Sequence, residues 1–236
     1  MATSQKESSW GERLLRRFYY KYFGRNLLYP LQIRARDQSA DYVEQHMFEA
    51  AMFETRDALL AHSLALAPKD GLLLEFGVEK GGSIRALARQ TARRIHGFDS
   101  FEGLPEAWSG TPEQRGKFSL GGRLPSVPAN VTLHKGWFDQ VLPAFLESHA
   151  DPVAFVHVDC DIYSSTKTVL DALKPRFVPG TVLLFDEYFN YPNWRQHEFR
   201  AFQEFVAATG ARYRYVGYSM KNGHVAVVLT DPGSTR

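Results

Sequence analysis

The sequence predicts an α/β fold in which helices cover both faces of a mostly parallel, Rossmann-like sheet of seven strands. Between residues 72 and 185, short continuous apolar runs alternate with helical stretches, which is typical of strands buried on both faces of a parallel sheet. Two further apolar runs are separated only by residues 219–223, which end in Asn-Gly. This spacing predicts an antiparallel C-terminal hairpin. The 236 residues are enough for one such core.

The first predicted element is a basic amphipathic helix. Residues 10–25 contain five basic and six aromatic side chains, and Leu14, Phe18 and Tyr22 recur at helical spacing. Such a helix can pack on its own domain with its cations reaching water, or contact a second subunit. It can also act as a lid or lie on a membrane surface.

A second helical segment completes the N-terminal extension. Residues 41–66 are rich in Ala, Leu, Met and Glu and contain neither Gly nor Pro, so we predict one helix that Pro68 ends. The chain then divides into a helical extension over residues 1–66 and a sheet domain over residues 67–236.

The sheet domain begins where the pattern changes to short apolar runs. The seven candidate strands are Leu72–Phe76, Arg94–Phe98, Val131–His134, Val153–Val158, Thr181–Phe185, Arg212–Tyr218 and His224–Thr230. The segment Glu102–Asn130 holds several prolines and glycines without periodicity. A loop this long inside a compact domain is typical of a lid or a binding loop.

Composition excludes several other classes of protein. The 28 basic and 26 acidic side chains nearly balance, so the broad positive field of a dedicated nucleic-acid binder is absent. One cysteine allows neither an intramolecular disulfide nor a Cys-x-x-Cys zinc site. No apolar run of ~18 residues predicts a membrane-spanning helix, and no signal-peptide core is present. We therefore expect a cytoplasmic protein.

A glycine-rich turn between the first strand and a helix predicts a ligand site. Glu75 lies near the strand end, and Gly77, Gly81 and Gly82 let a ligand approach the backbone. Asp99 ends the second strand, where a carboxylate can bind ribose hydroxyls. An acid before the loop repels phosphate. The pattern therefore favours S-adenosylmethionine over NAD(P), and the alternative is a tight turn without ligand.

Acidic side chains follow two other strands. Asp159 and Asp161 come after the fourth strand, and Asp186 and Glu187 come after the fifth. The ligand crevice of an open parallel sheet lies at the carboxyl ends of its strands, so these acids should converge there. A divalent cation such as Mg²⁺ would relieve their repulsion. Hydrogen bonds or a basic partner in a metal-free crevice would do the same.

Neighbouring residues have simpler explanations. Asp161 or Ser164 can cap the following helix. Cys160 and His157 are expected to pack in the core. Three other histidines, expected to be less buried, leave the general base unassigned: His134, His197 and His224.

With these residues in place, the chain resembles class I S-adenosylmethionine-dependent methyltransferases and, more narrowly, the macrocin O-methyltransferase family. The matching segments cover about residues 71–206. They are LEFGVEKGGSIRALA, HGFDSFEGLPE, HKGWFDQVLP, VDCDIYSSTKTVLDALKPRFVPGTVLLFDEY and the helix around WRQHEFRAFQEF.

The resemblance implies roles for individual residues. Asp159 and Asp186 would be catalytic, and with Glu187 they would hold Mg²⁺. The family usually has a second aspartate where this chain has Glu187, whose longer arm shifts the ligand oxygen. The implied cofactor-binding residues are Glu75, Phe76, Gly77, Gly81, Gly82, Ser83, Asp99, Ser100, Phe101, Gly136, Trp137, Phe138 and Asp159.

The resemblance further implies methyl transfer from S-adenosylmethionine to a hydroxyl of a small molecule, a sugar or another natural product, with or without Mg²⁺. One alternative is metal-independent transfer to a phenol, a carboxylate or a nitrogen. Weaker alternatives are an NAD(P)-dependent oxidoreductase and a non-catalytic protein of the membrane surface. The expected partners are the acceptor and, through a homodimer or larger assembly, further copies of the chain.

Overall fold

The computed structural model describes residues 10–234, so residues 1–9 of the predicted extension lie outside the described part. The helices are α1 Trp10–Tyr22, α2 Leu28–His46, α3 Arg56–Leu66, α4 Gly82–Gln90, α5 Phe138–Ser148, α6 Tyr163–Leu173 and α7 Glu198–Thr209. The strands are β1 Ala51–Phe53, β2 Leu72–Phe76, β3 Ile95–Asp99, β4 Val131–Lys135, β5 Val153–Val158, β6 Phe177–Phe185, β7 Arg212–Ser219 and β8 Val225–Asp231.

All eight strands form one sheet in the order β1-β7-β8-β6-β5-β2-β3-β4. The strands β2 to β6 pair in parallel, and β8 pairs antiparallel with both β6 and β7. The predicted fold class and C-terminal hairpin are therefore confirmed. The predicted number of seven strands is wrong by one, because β1 joins the edge of β7 in parallel.

The prediction of one helix over residues 41–66 is also wrong. The helix α2 ends at His46, β1 follows, and Thr55 caps α3 by accepting a hydrogen bond from Ala58 N at 3.2 Å. Good helix formers occupy residues 47–53, but pairing with the open edge of β7 decides their conformation. The strand β1 belongs to the sheet although it lies in the predicted extension, and the division near residue 66 stays a prediction.

Helices pack on both faces of the sheet. Side chains of α2, α5, α6 and α7 share one apolar cluster with the sheet, and side chains of α3 and α4 share the other. The central strands β2 and β5 are buried along their whole length. This layering brings the carboxyl ends of β2, β3, β5 and β6 to one edge, above which the helices α4, α5 and α6 begin.

The helix α1 has no buried residue. Its helical prediction is confirmed, and its apolar row remains uncovered, with Trp10 73% and Phe18 56% exposed. No helix among residues 10–234 is long and apolar enough to cross a membrane.

The long loop over residues 102–130 contains no helix or strand. It is nevertheless anchored, because Leu104 N donates to Lys117 O and the side chains of Leu104 and Trp108 are buried. The loop therefore forms a wall beside the strand ends, as expected for a binding loop.

A cluster of histidines between β3 and β4 predicts acid sensitivity. His96 Nδ1 lies 3.0 Å from His134 Nε2, and burial together with His134 and His149 lowers the pKa of His96 to about 4. The unfolded chain binds this proton near pH 6.5 and the folded chain does not, so stability falls as pH drops from about 6.5 to 4. We expect His96→Phe to remove about 1–3 kcal/mol of that loss in urea unfolding.

The exposed His46 offers the matched control, since His46→Gln should leave the pH dependence of the unfolding free energy unchanged. Equal slopes for the wild type and His96→Phe would contradict the assignment.

Candidate active site

A crevice of about 570 Å³ lies over the carboxyl ends of the central strands. Predicted residues that line it are Gly77, Gly82, Ser83, Asp99, Ser100, Gly136, Trp137, Phe138, Asp159, Asp186 and Glu187. The acids after β5 and β6 therefore face the glycine turn across one space. The size suits a ligand the size of a nucleoside with a side chain.

The glycine turn has a backbone that only glycine accepts at its first position. Gly77 has a φ of +90°, and a Cβ there would lie 1.6 Å from the carbonyl oxygen of Asp159. Gly81, with a φ of +77°, directly precedes α4. The turn thus brings the strand end of β2 against that of β5 and leaves the start of α4 open toward the crevice.

Asp99 braces this turn. Its Oδ2 accepts hydrogen bonds from Val78 N at 2.9 Å and Glu79 N at 2.8 Å, and its Oδ1 accepts one from Phe101 N at 2.6 Å. The carboxylate also lines the crevice. Asp99 therefore fixes the loop and presents an acceptor to a ligand.

Glu75 occupies a different place from the one predicted. It is fully buried, accepts a hydrogen bond from Ser83 Oγ at 2.9 Å, and lies 3.0 Å from His157 Nδ1. Its neighbours in the sheet enclose its carboxylate below the crevice, so it acts on the site through Ser83 and His157. Three other predicted cofactor residues also lie outside the lining: Phe76, Gly81 and Phe101.

Three basic groups surround one oxygen of Asp186. His224 Nε2 lies 3.2 Å, His157 Nε2 3.4 Å and Arg56 Nη1 3.8 Å from Asp186 Oδ1. Burial alone would raise the pKa of Asp186, but the histidine hydrogen bonds outweigh it and hold the pKa well below its ordinary value. Asp186 therefore stays ionised.

His157 is positively charged for the same reason. Burial alone would lower its pKa, but the hydrogen bonds with Asp186 and Glu75 raise it well above its ordinary value. The expectation of a core histidine with satisfied hydrogen bonds is met, and its charge reaches the site through Asp186.

The remaining acids repel one another. Burial and the charge of Asp186 raise the pKa of Asp159 well above its ordinary value and those of Asp161 and Glu187 to about 8. Asp161 makes no side-chain hydrogen bond within residues 10–234 and points to no helix cap: its φ is +64°, and Ile162 precedes α6. The site has more acidic groups than cations, which favours a positively charged ligand.

These donors fit a divalent cation. Ligand atoms of His157, Asp159 and Asp186 lie within 4.8 Å of one another. Because His157 already bonds to Asp186, the two aspartates are the free oxygen donors that Mg²⁺ prefers. Glu187 lines the crevice outside this group, so the predicted third ligand does not join it.

Several site residues escaped the sequence analysis. Arg56 comes from the predicted extension, and fully buried Glu198 accepts a hydrogen bond from Glu187 N at 3.0 Å. His224 and His197 were expected to be less buried but are 4% and 5% exposed. His224 is held by Ser219 Oγ at 3.0 Å from Nδ1. Only the resemblance of the α7 segment offered a sequence signal near Glu198.

Two other expectations concern the start of α6. Ser164 does not cap the helix, since its hydroxyl donates to Glu106 Oε1 of the long loop at 2.6 Å. Cys160 packs as predicted in the core, with its Sγ 3.5 Å from Thr166 Oγ1. Neither residue acts in the crevice through its expected cap or as a thiolate.

Comparison with known proteins identifies related sequences. The sequence pattern of a family described as "Methyltransferase domain" matches residues 74–188. An enzyme of Streptomyces olivaceus, 8-demethyl-8-(2,3-dimethoxy-alpha-L-rhamnosyl)-tetracenomycin-C 4'-O-methyltransferase, is 34% identical over 143 residues. The alignment covers 50% of this chain and 53% of that enzyme, so the chain spans about half the length of this relative.

Solved structures share the fold. The structure of CalS11, a calicheamicin methyltransferase, matches with a TM-score of 0.57 at 19% identity, covering 97% of this chain and 98% of that chain. The O-methyltransferase NovP matches with a TM-score of 0.56 at 20% identity, covering 75% and 79%. The predicted α/β architecture and its strand order thus recur in known folds.

Proposed function

The chain contains a class I methyltransferase domain over residues 74–188, and we propose that it transfers a methyl group from S-adenosylmethionine to a hydroxyl of a sugar or another natural product. The observation that carries the proposal is the crevice in which a glycine turn with Asp99 faces the acids after β5 and β6. The relative named for rhamnosyl tetracenomycin 4'-O-methylation supports this acceptor class.

The cofactor would lie along the glycine turn. Asp99 would accept hydrogen bonds from the ribose hydroxyls, and Trp137 and Phe138 would contact the adenosine. The sulfonium would face the acidic end of the crevice, where its positive charge offsets the repulsion among Asp159, Asp161 and Glu187.

The protein would contribute mainly positioning. The acceptor oxygen must lie in line with the methyl group and the sulfur, which the rigid strand ends enforce. Asp161 is the carboxylate best placed to take the hydroxyl proton, because it lines the crevice and no described group hydrogen-bonds it. If Mg²⁺ binds, Asp159 and Asp186 would hold it, and the ion would lower the pKa of the acceptor hydroxyl.

A transfer assay tests the proposal. The protein is incubated with S-adenosylmethionine and, separately, a glycosylated polyketide, a catechol, a carboxylic acid and an amine, and S-adenosylhomocysteine release is measured. Release with the glycoside, lost in Asp161→Asn, is expected. Release only with another class favours the phenol, carboxylate or nitrogen alternative. Arms with EDTA and with added Mg²⁺ decide metal dependence, and NADPH turnover without methyl transfer would support an oxidoreductase.

We also propose that the chain forms a homo-oligomer through α1. The apolar row of α1 continues onto Leu27 and Leu28 at the start of α2, which are also exposed, so one apolar surface awaits cover. The expected location in the cytoplasm stays a prediction.

Light scattering checks this assembly. We expect Phe18→Ser to dissociate the oligomer, and Lys21→Ser on the basic side of the helix to leave it intact. A monomeric wild type would contradict the proposal. Binding of that monomer to anionic vesicles, lost on removal of residues 1–25, would favour the membrane-surface alternative.

A further inference from the structure

A second cavity of about 380 Å³ adjoins the crevice and shares Arg56, Asp186 and Glu187 with it. Its outer wall adds Asn190, Asn222 and His224. The two cavities thus meet at the acids where methyl transfer is proposed. The second one extends away from the glycine turn, toward the tip of the β7–β8 hairpin.

The wall of the second cavity is preformed. Asn190 Nδ2 donates to Asn222 O at 3.0 Å, and Tyr188 N donates to Gly223 O at 3.0 Å. From α2, Gln32 Nε2 donates to Asn190 O at 2.7 Å, and Ser39 Oγ accepts from Asn190 N at 2.9 Å. A ligand therefore meets an ordered surface and need not organise it.

Several polar groups on this wall have capacity left. Asn190 Oδ1 is buried without a hydrogen-bond partner in the described part of the chain. The Asn222 side-chain amide likewise makes no hydrogen bond there. Arg56 has one long contact, to Asp186. Together with Glu187 they offer both donors and acceptors, and an unsatisfied buried acceptor is costly.

The mixture of charges selects the ligand class. Asp186 and Glu187 repel an anion, and Arg56 repels a cation. A purely apolar ring would bury these polar groups without hydrogen bonds. A neutral ring with several hydroxyls, each both donor and acceptor, satisfies all of them.

We propose that this second cavity is the acceptor subsite and binds an uncharged, hydroxyl-rich ring through Arg56, Asn190 and Asn222, with one hydroxyl directed at the shared acids. This inference rests on the proposed methyl transfer and deepens it. All three residues lie outside the methyltransferase domain of residues 74–188, so acceptor choice is encoded outside the part of the chain that carries the cofactor.

The test uses the full chain saturated with S-adenosylhomocysteine and ligand-observed NMR. The probes are the methyl α-glycopyranosides of rhamnose, glucose and mannose, and tetrahydropyran is the ring without hydroxyls. We expect at least one glycoside to bind and tetrahydropyran not to compete. Asn222→Gly, which tolerates the φ of +66° at this position, should weaken binding about 3- to 10-fold, the effect of losing one or two hydrogen bonds.

Lys221→Ala is the matched control on the same hairpin, because Lys221 does not line the cavity, and it should bind as the wild type does. Calorimetry of the loading step is run on every variant and should give equal affinity for S-adenosylhomocysteine. No glycoside binding, equal binding by Asn222→Gly, or competition by tetrahydropyran overturns the subsite. Failure of the proposed function appears earlier, because the wild type would then not bind S-adenosylhomocysteine, and the subsite would fall with it.

Discussion

Replacing Gly77 with alanine is expected to lower the affinity for S-adenosylhomocysteine by at least about 100-fold. A Cβ at this position would lie 1.6 Å from the carbonyl oxygen and 2.6 Å from the carbonyl carbon of Asp159. These are backbone atoms that cannot turn away, so β2 and β5 must separate where the cofactor turn and Asp159 meet. The measurement is calorimetric titration, with urea unfolding to quantify the accompanying loss of stability.

Gly116 provides the control for backbone strain alone. It also has a positive φ, +81°, but nothing lies within 4 Å of the position of its Cβ. Gly116→Ala should cost about 1–2 kcal/mol of stability at most and leave the affinity unchanged. Equal affinities for Gly77→Ala and the wild type would show that the turn does not form the cofactor site.

Asp186→Asn is expected to lower the free energy of unfolding by about 3–5 kcal/mol and the rate of methyl transfer by about 100-fold or more. The carboxylate is the shared partner of His157, His224 and Arg56. An amide of the same shape leaves the positive charge of His157 balanced by Glu75 alone and shifts the electrostatics of both cavities.

Asp171→Asn is the matched control, because Asp171 is exposed and pairs only with Lys167 at 2.7 Å. It should change stability by less than about 1 kcal/mol and leave the rate unchanged. Unfolding by urea and the transfer assay measure both effects. An Asp186→Asn protein as stable and active as the control would remove Asp186 from the centre of the site.

Much of the fold followed from local patterns. Continuous apolar runs mark β2 and β5 because both their faces are covered, and Asn-Gly marks the hairpin between β7 and β8. By contrast, β1 could not be predicted, because residues 47–53 favour a helix and only the distant edge of β7 makes them extended.

The site divides in the same way. Gly77, Asp99, Asp159 and Asp186 follow strands directly, and the topology of a parallel sheet brings such residues together. Arg56 and His224 have no comparable signal, because they reach Asp186 from α3 and from the hairpin through contacts far apart in sequence. The burial of Glu75 was also hidden, since its partner His157 lies on a neighbouring strand.

Cofactor binding is the central claim, and isothermal titration of the purified chain with S-adenosylhomocysteine tests it most directly. We predict one site per chain with micromolar affinity, and no binding of NAD(P) at the same concentrations. Absence of S-adenosylhomocysteine binding at micromolar levels by a folded protein, or tight binding of NAD(P) in its place, would contradict the account.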